Sequence, residues 1–375
     1  MTMTQNLMEN KETNNSMSYF VDKLEYWVSI KPNATYLTQP HTNHIIEHSW
    51  NDVWQNCQKV AKHLSIYPRG SKIAIYSDNC AHWVMADMAM QMAGLISVPL
   101  YTTYATEAIK KILVHCDAKA IFVGKLKADA RFDFIPKNLK QYCMHSTHDN
   151  MIPWDTLLAS NTESISELSP VQDDEIATII YTSGTTSKPK GVCLKLSALR
   201  SSNQLVRSVI ATKEEDRFFS YLPLSHISER TVTDLTSIVH GTPVYFLSHI
   251  NNFKSEIRKV KPTIFFSAPQ FWIKLKIMSE EKMGGEENLK RLLKLPFFGK
   301  KIGKMLLKKM GLDQVRFAIC AAAPVPFRVL VWFEKLGLKI NQAYGLTETC
   351  GLSHLMRQSD ALTRSVGQVI ECCEV

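Results

Sequence analysis

Short apolar runs with strand-like composition alternate with helix-like segments along most of this 375-residue chain. The strand-like runs lie at residues 72–77, 96–100, 120–124, 177–182, 217–222, 243–247, 263–267, 315–320 and 338–343. Helix-like segments separate them, among them a nearly all-apolar segment at 80–94 that we expect to end at Gly94. Buried strands that alternate with helices are typical of α/β proteins, so the pattern predicts layered, largely parallel sheets flanked by helices.

Composition narrows the class of protein further. Apolar residues make up 45% of the chain and charged residues 21%, which is ordinary for a globular protein and excludes a disordered, collagen-like or polytopic membrane protein. No stretch of about 18 consecutive apolar residues occurs, so no transmembrane helix is expected. Residues 1–16 are polar and lack an apolar signal-peptide segment, and we expect a disordered lead before a single domain at 17–375.

The nine cysteines are scattered, and none of them forms a C-x-x-C pair. A chain of this length does not need a disulfide framework. We therefore expect free, buried thiols and a location in the reducing cytoplasm.

A net charge of +9 suits a surface that meets nucleotide phosphates, anionic lipid or nucleic acid. The positive charge is concentrated at residues 286–311, which include eight Lys/Arg and only two Glu. On a helix through this segment, one face would carry Ile302, Met305, Leu306 and Met310, and another would carry Lys301, Lys304 and Lys308. Peripheral contact with an anionic membrane and an ordinary solvated helix are both open interpretations, and no nucleic-acid partner is expected.

The most informative loop follows the strand-like run at 177–182. Residues 181–192 read YTSGTTSKPKGV, with several hydroxyl side chains around one glycine and two lysines after them. Hydroxyl and backbone N–H groups donate hydrogen bonds to phosphate oxygens, and lysine adds positive charge. The alternative is a flexible polar loop. A Walker loop is excluded, because Gly191 follows Lys190 instead of preceding it and no Ser or Thr follows that lysine.

This segment resembles the phosphate loop of the adenylate-forming (AMP-binding) enzymes, a superfamily of acyl-CoA synthetases, luciferases and peptide-synthetase adenylation domains. Ser187 stands where these enzymes usually have glycine. Two later segments, 344–349 (YGLTET) and 321–324 (AAAP), resemble the family's Y-G-x-T-E signature and its small-residue turn. Residues 222–230 (LPLSHISER) resemble a stretch of the long-chain acyl-CoA synthetases, as does the segment from Lys261 to Gln270, where Gln270 replaces the usual arginine.

The resemblance implies a set of site residues. Tyr344 would stack on adenine, Thr347 would bind the α-phosphate, and Glu348 would hold Mg²⁺. Thr347 and Glu348 are the predicted catalytic residues, and His226 is predicted to line the acyl pocket. The predicted ATP-binding residues are Thr182, Ser183, Gly184, Thr185, Thr186, Lys190, Ala322, Ala323, Tyr344, Gly345 and Thr347.

The implied reaction is that of a long-chain fatty acid–CoA ligase. A fatty acid would react with ATP and Mg²⁺ to give acyl-AMP, and coenzyme A would then displace AMP. Two alternatives stay open, an adenylating enzyme for an aryl or amino acid and a non-catalytic remnant that binds nucleotide or membrane. An activity assay with and without a separately supplied C-terminal domain would distinguish the non-catalytic remnant from a ligase.

The resemblance stops near Val375. In the family, a ribose-binding aspartate and a small C-terminal domain with an adenylation lysine come further downstream. We therefore expect a large domain that is incomplete at its C-terminus, with the small domain absent, low activity alone, and a complementing domain on a separate chain as a candidate partner.

Overall fold

The computed structural model describes residues 18–41, 43–126, 132–145, 150–159, 169–182, 189–296, 298–362 and 364–369. Three predicted features lie outside these residues: the disordered lead at 1–16, most of the phosphate loop at 183–188, and the end of the chain at 370–375. Within the described ranges, no helix is long and apolar enough to span a membrane. Six of the cysteines described there are buried and form no disulfide bond, and Cys193 is exposed, contrary to the expectation for that residue.

Two compact units are distinguished by their internal contacts. The N-terminal unit contains the described residues up to Tyr36 and from His48 to Arg200. The C-terminal unit contains residues Leu37–Glu47 and the described residues from Ser201 onward.

The N-terminal unit is built on a seven-stranded sheet with strand order β7-β6-β5-β3-β4-β8-β9. Its strands are β3 (Lys72–Tyr76), β4 (Ile96–Leu100), β5 (Ala118–Val123), β6 (Lys140–Cys143), β7 (Ile152–Pro153), β8 (Ile176–Thr182) and β9 (Lys190–Lys195). Every pairing is parallel except that of β8 with β9. The helices are α1 (Tyr19–Ile30), α2 (Trp50–Leu64), α3 (Ala81–Met92), α4 (Thr106–His115), α5 (Trp154–Leu158) and α6 (Leu196–Ile210), the last of which contains the boundary at Arg200.

Helix α3 confirms the expectation of a buried helix that stops near Gly94. Eleven of its twelve residues are buried. Gly94 has a φ of 68°, and a Cβ placed on it would lie 2.6 Å from the carbonyl oxygen of Ser169. Only glycine fits this left-handed, crowded position, and so the helix must end before it.

The C-terminal unit contains two sheets. One has four strands in the order β10-β11-β1-β2, and the other has five in the order β12-β13-β14-β15-β16. Their strands are β1 (Thr35–Pro40), β2 (Ile45–Ser49), β10 (Phe218–Ser220), β11 (Val244–Phe246), β12 (Ile264–Ser267), β13 (Phe317–Cys320), β14 (Ile340–Tyr344), β15 (His354–Leu355) and β16 (Gln368–Val369). Strands β12, β13 and β14 are parallel, whereas β15 and β16 are antiparallel additions. The predicted α/β class with largely parallel sheets is confirmed, and the antiparallel strands β9, β15 and β16 were not predicted.

The helices of this unit follow in chain order. They are α7 (Ile227–Glu229), a π-helical segment at Arg230–Leu235, α8 (Thr236–His240), α9 (Phe253–Val260), α10 (Pro269–Lys282), α11 (Glu286–Leu293), α12 (Phe298–Met310) and α13 (Phe327–Leu336). Helices α10 to α13 pack around an apolar core that includes Trp272. The Trp272 ring is fully buried and meets Phe265 and Phe333 edge-on, with ring centroids 5.6 and 5.1 Å away.

One buried carboxylate joins β10, β12 and β13 at their amino ends. Asp216 accepts hydrogen bonds from Arg316 Nε at 2.8 Å, Thr263 Oγ1 at 2.7 Å and the Lys213 backbone N–H at 2.7 Å. Burial by itself would raise the pKa of Asp216, but these three donors outweigh it, so the pKa lies below its usual value. Asp216 is thus held as a carboxylate that ties three strands together.

We expect Asp216→Asn to lower the free energy of unfolding by about 2 kcal/mol at neutral pH, because it removes hydrogen bonds to a charged group. A depressed pKa contributes stability above the unfolded-state value of about 3.9 and loses it as pH falls toward the folded-state pKa. The gap between parent and variant should therefore close in acid. Urea unfolding across pH measures it, with exposed Glu215→Gln as the control. A gap that stays constant down to acid pH would contradict the assignment.

Candidate functional site

The two motif turns of the C-terminal unit leave adjacent parallel strands. Strand β13 ends at Cys320 and is followed by the Ala321–Pro324 turn, and β14 ends at Tyr344 and is followed by the YGLTET turn. Cys320 lies opposite Gln342 in the parallel register. The carboxyl ends of parallel strands lie at the same edge of a sheet, which is where ligands of α/β proteins usually bind.

The turn after β14 is a compact structure held by its own backbone. The Gly351 N–H donates to the Leu346 carbonyl oxygen at 2.8 Å, and the Cys350 N–H donates to that of Thr347 at 3.0 Å. A Cβ on Gly345 would lie 2.4 Å from the backbone of Gly351. The glycine of the Y-G-x-T-E signature is therefore required because two backbone segments approach each other closely.

The side chains of this turn face outward. The Tyr344 ring is 48% exposed and has the His354 ring at 5.9 Å, measured between centroids. The Glu348 carboxylate is exposed, and Thr347 is half-buried. No hydrogen bond or ion pair engages the side chain of Glu348 within the part of the chain that the structure describes. A flat ring and a carboxylate are thus both available to a ligand.

The turn after β13 exposes backbone at the same edge. Ala322 has a φ of 74°, a left-handed conformation that costs a residue with a side chain roughly 1 kcal/mol. Ala322 and Ala323 are both exposed, and both line one cavity together with Tyr344 and Gly345. The structure therefore brings four of the predicted ATP-binding residues together.

This cavity has a volume of about 1310 Å³, more than the roughly 300–1,000 Å³ of an ordinary ligand site. An apolar wall comes from α11, from α13 and from the segment before α13, and comprises Leu289, Leu293, Val325, Phe327, Leu330, Val331 and Trp332. The basic residues of the lining are Lys276, Lys290, Lys294, Arg328, Lys335 and Arg364. Thr347 and Glu348 do not line the cavity, but in the turn they come directly after Leu346, which does.

His226 lies elsewhere in the C-terminal unit. It precedes α7, where its Nδ1 accepts a hydrogen bond from the Ser228 N–H at 3.2 Å, and burial lowers its pKa. It is not among the residues that line the cavity. Its role in an acyl pocket stays a prediction from the sequence.

The helical segment after His226 supports the YGLTET turn from behind. Thr231 Oγ1 donates to the Cys350 carbonyl oxygen at 3.1 Å, and Ser202 Oγ donates to the same oxygen at 3.4 Å. A Cβ on Gly351 would meet Ser228 at 3.1 Å. Sequence reasoning missed Thr231 and Ser202, since a hydroxyl in a helix carries no local sign of an acceptor more than a hundred residues away.

The Glu229-Arg230 pair of the LPLSHISER stretch is internal. Both residues are at most 1% exposed, and Ser220 Oγ donates to Glu229 Oε1 at 2.9 Å. Burial raises the pKa of Glu229 to about 8, while hydrogen bonds from Ser220 and Thr233 partly oppose the rise. Glu229 therefore links the supporting helix to β10 through its hydrogen bond with Ser220.

The remaining predicted residues belong to the N-terminal unit. Thr182 ends β8 and lies opposite Lys190, which begins the antiparallel β9. Ser183, Gly184, Thr185 and Thr186 lie outside the described residues. Their role in phosphate binding stays a prediction.

The donor set fits the nucleotide and the metal that the motifs imply. Mg²⁺ usually takes one or two carboxylates plus phosphate and water oxygens, so the free Glu348 carboxylate suits it. No cluster of three or more His, Cys, Asp or Glu occurs among the described residues. The exposed Tyr344 ring and the open backbone at Ala322 suit a flat base.

Comparison with known proteins identifies relatives of this chain. The chain is 27% identical over 347 residues to peroxisomal long chain acyl-CoA synthetase 7 of Arabidopsis thaliana, covering 82% of this chain and 48% of the relative. It is 28% identical over 376 residues to a long-chain-fatty-acid–CoA ligase of Xenopus laevis, covering 87% of this chain and 50% of the relative. The chain thus spans about half the length of the curated relatives that it matches.

Among solved structures, the inhibitor-bound N-terminal domain of FACL13 from Mycobacterium tuberculosis matches with a TM-score of 0.71 at 21% identity, over 94% of this chain and 82% of that one. The anthranilate CoA ligase AuaEII in complex with anthranoyl-AMP matches with a TM-score of 0.74 at 19% identity, over 95% of this chain and 64% of that one. The fold is accordingly that of the N-terminal domain of adenylate-forming enzymes. The family model described as AMP-binding enzyme matches residues 24–375, and the chain belongs to this family.

Proposed function

We propose that this chain supplies the nucleotide- and acyl-binding part of an ATP-dependent acid–thiol ligase that acts on long-chain fatty acids. One observation carries the proposal. Two motif turns, at Ala321–Pro324 and at Tyr344–Glu348, leave adjacent strands, and residues of both line one large cavity whose lining also includes apolar side chains of α11 and α13. A polar end for a nucleotide and an apolar end for an aliphatic chain are what an acyl-adenylate needs.

The nucleotide end has distinct roles for its residues. The Tyr344 ring packs against the adenine face, and the left-handed turn at Ala322 exposes backbone to the base edge. Thr347 donates its hydroxyl to an oxygen of the α-phosphate, and Glu348 holds the cation. When bound, Mg²⁺ neutralises phosphate charge. The Thr231 and Ser202 hydroxyls hold the Cys350 carbonyl and thereby keep the turn in place.

The acyl end is the wall formed by α11 and α13. The side chains of this wall are the aliphatic and aromatic ones of Leu289, Leu293, Val325, Phe327, Leu330, Val331 and Trp332. Burial of each methylene of a fatty acid there contributes about 0.8 kcal/mol, so even a few methylenes dominate the affinity for the acid. Support for a fatty acid over an aryl or amino acid comes from this wall and from the long-chain relatives, whose names state that activity.

The chemistry is adenylyl transfer to the acid followed by acyl transfer to the thiol. A carboxylate oxygen of the acid attacks the α-phosphorus of ATP, the bond to the bridging oxygen breaks, and pyrophosphate leaves. The thiol sulfur of coenzyme A then attacks the acyl carbon, AMP leaves, and the thiol proton goes to solvent. The residues of this chain act by positioning and charge stabilisation, since they hold the base, the phosphate and the apolar chain in fixed relation.

Tyr344→Ala should weaken ATP binding roughly tenfold, because stacking of a base on an aromatic ring is worth about 1–3 kcal/mol. Tyr344→Phe keeps the ring and should bind ATP within about twofold of the parent. Isothermal titration calorimetry gives both values. Equal affinity of the alanine variant and the parent would remove Tyr344 from the site.

Glu348→Gln should reduce the Mg²⁺-dependent part of the ATP affinity at least roughly tenfold, because it removes a carboxylate ligand of the cation. The measurement is ATP affinity with Mg²⁺ and with EDTA, for parent and variant. Exposed Glu281→Gln is the matched control and should behave as the parent does. If Glu348→Gln retains the full Mg²⁺ effect, the cation is held elsewhere.

The acyl end is tested with non-reactive acyl sulfamoyl-adenosines. The palmitoyl analogue should bind at least roughly tenfold more tightly than sulfamoyl-adenosine itself. Val331→Trp should obstruct part of the apolar wall and reduce this gain without changing the affinity for sulfamoyl-adenosine, whereas Val331→Leu should keep most of it. His226→Ala tests the sequence-based prediction that the acyl chain of the ligand lies beside His226. Tighter binding of a benzoyl or aminoacyl analogue than of the palmitoyl one would assign the site to another class of acid.

A further inference from the structure

The connection between α11 and α12 presents apolar side chains to solvent. Leu295 is 47% exposed and Phe298 is 65% exposed, although both are large and apolar. The connection is anchored from the inside, since the Gly299 N–H donates to the Leu295 carbonyl oxygen at 2.9 Å. A Cβ on Gly299 would lie 2.1 Å from the Leu293 carbonyl oxygen, so no other residue fits there. The close packing on the inner side fixes Leu295 and Phe298 on the outer side.

Helix α12 has its apolar face in the core. Leu306 and Leu307 are at most 5% exposed, and Ile302 and Met310 pack against the same core. The sequence-based expectation that Met305 shares this face is wrong, because Met305 is 39% exposed and is not among the side chains that pack against the core. The helix therefore cannot lie on a membrane by the face that its sequence suggested, since that face is already buried against α13 and the core.

The outward side of α12 is strongly basic. Between residues 291 and 310 there are seven Lys/Arg and no acidic residue. Those on the described, exposed surface are Arg291, Lys294, Lys300, Lys301, Lys304, Lys308 and Lys309. No ion pair neutralises any of these seven within the described part of the chain, whereas the nearby Lys290 is paired with Glu286 and Glu287.

We propose that the basic tip, residues 291–296 and 298–310, docks on an anionic lipid surface. Leu295 and Phe298 enter the boundary between headgroups and acyl chains, Met305 lies beside them, and the lysines meet the headgroup phosphates. An apolar contact and a basic patch together supply the two signals that stable but reversible membrane binding requires. The occupant is lipid rather than nucleic acid, because a phosphate backbone offers no apolar surface that would bury the exposed Leu295 and Met305.

The tip is continuous with the cavity. Leu289 and Leu293 on α11 line the cavity wall, and Lys294, the first residue after that helix, belongs both to the lining and to the tip. A docked tip would bring this wall next to the lipid, from which an apolar acid could enter. Only this entry of the acid rests on the proposed function. Docking itself needs neither nucleotide nor acid.

The test is co-sedimentation of the whole chain with vesicles of phosphatidylcholine alone or mixed with phosphatidylserine. We expect binding to the mixed vesicles that weakens as salt is raised, and little binding to neutral ones. Replacing Lys300, Lys301, Lys304 and Lys308 by Gln should reduce binding at least tenfold, since each cation near such a surface contributes about fivefold. The charge-matched control replaces exposed Lys110, Lys111, Lys137 and Lys259 by Gln and should bind within about twofold of the parent.

A second pair of variants tests the apolar contact. Leu295→Ser with Phe298→Ser should reduce binding to mixed vesicles at least fivefold, whereas Val114→Ser with Ile250→Ser, at residues 68% and 67% exposed, should not. Phe298→Trp should give a blue-shifted, bromolipid-quenched emission on vesicles that Ile250→Trp does not give. Thermal unfolding checks that each variant is folded.

Equal binding to neutral and anionic vesicles, no binding at all, or equal losses in the lysine control would overturn the proposal. Binding of duplex DNA or RNA that is lost in the four-lysine variant, without vesicle binding by the parent, would assign the tip to nucleic acid instead. Tyr344→Ala should leave vesicle binding unchanged, so a failure of the proposed ligase function and a failure of lipid docking are distinguishable.

Discussion

The parallel register of β13 and β14 is the constraint on which the candidate site depends. It sets Cys320 opposite Gln342, so that the turns beginning at Ala321 and after Tyr344 open at one edge of the sheet. Each turn then needs an unusual backbone, a left-handed Ala322 in one and the close approach of Gly345 to Gly351 in the other. Were the register shifted by one residue, the ring of Tyr344 would point to the opposite face of the sheet.

The exposed groups of the site rest on a buried polar framework. Thr231 and Ser202 hold the Cys350 carbonyl oxygen, and Glu229, with its raised pKa, joins the same helical segment to β10 through Ser220. Buried polar groups are costly unless paired, and a satisfied network therefore favours a single arrangement of the turn above it. The exposed residues of the YGLTET turn are therefore held in place by the buried polar residues behind them.

Much of the fold and part of the site could be predicted from local sequence. Alternation of apolar runs with helical segments predicted the α/β class, and the apolar segment before Gly94 predicted a buried helix. Short strands such as β15 and β16 were missed, because two residues are too few to show a period. Met305 was assigned to the wrong face, since a helical period alone does not say which part of a broad apolar arc meets the core.

The sequence by itself determined the chemistry that is available: the ring of Tyr344, the carboxylate of Glu348, the small residues at 321–323 and the lysines at 300–308. These are properties of side chains and of near neighbours along the chain. Only the tertiary structure decided that Ala322 and Tyr344 line one cavity, that Thr231 supports the turn at Cys350, and that Phe298 lies outward. Such relations join residues far apart along the chain, and strand register and core packing, which no local pattern encodes, set them.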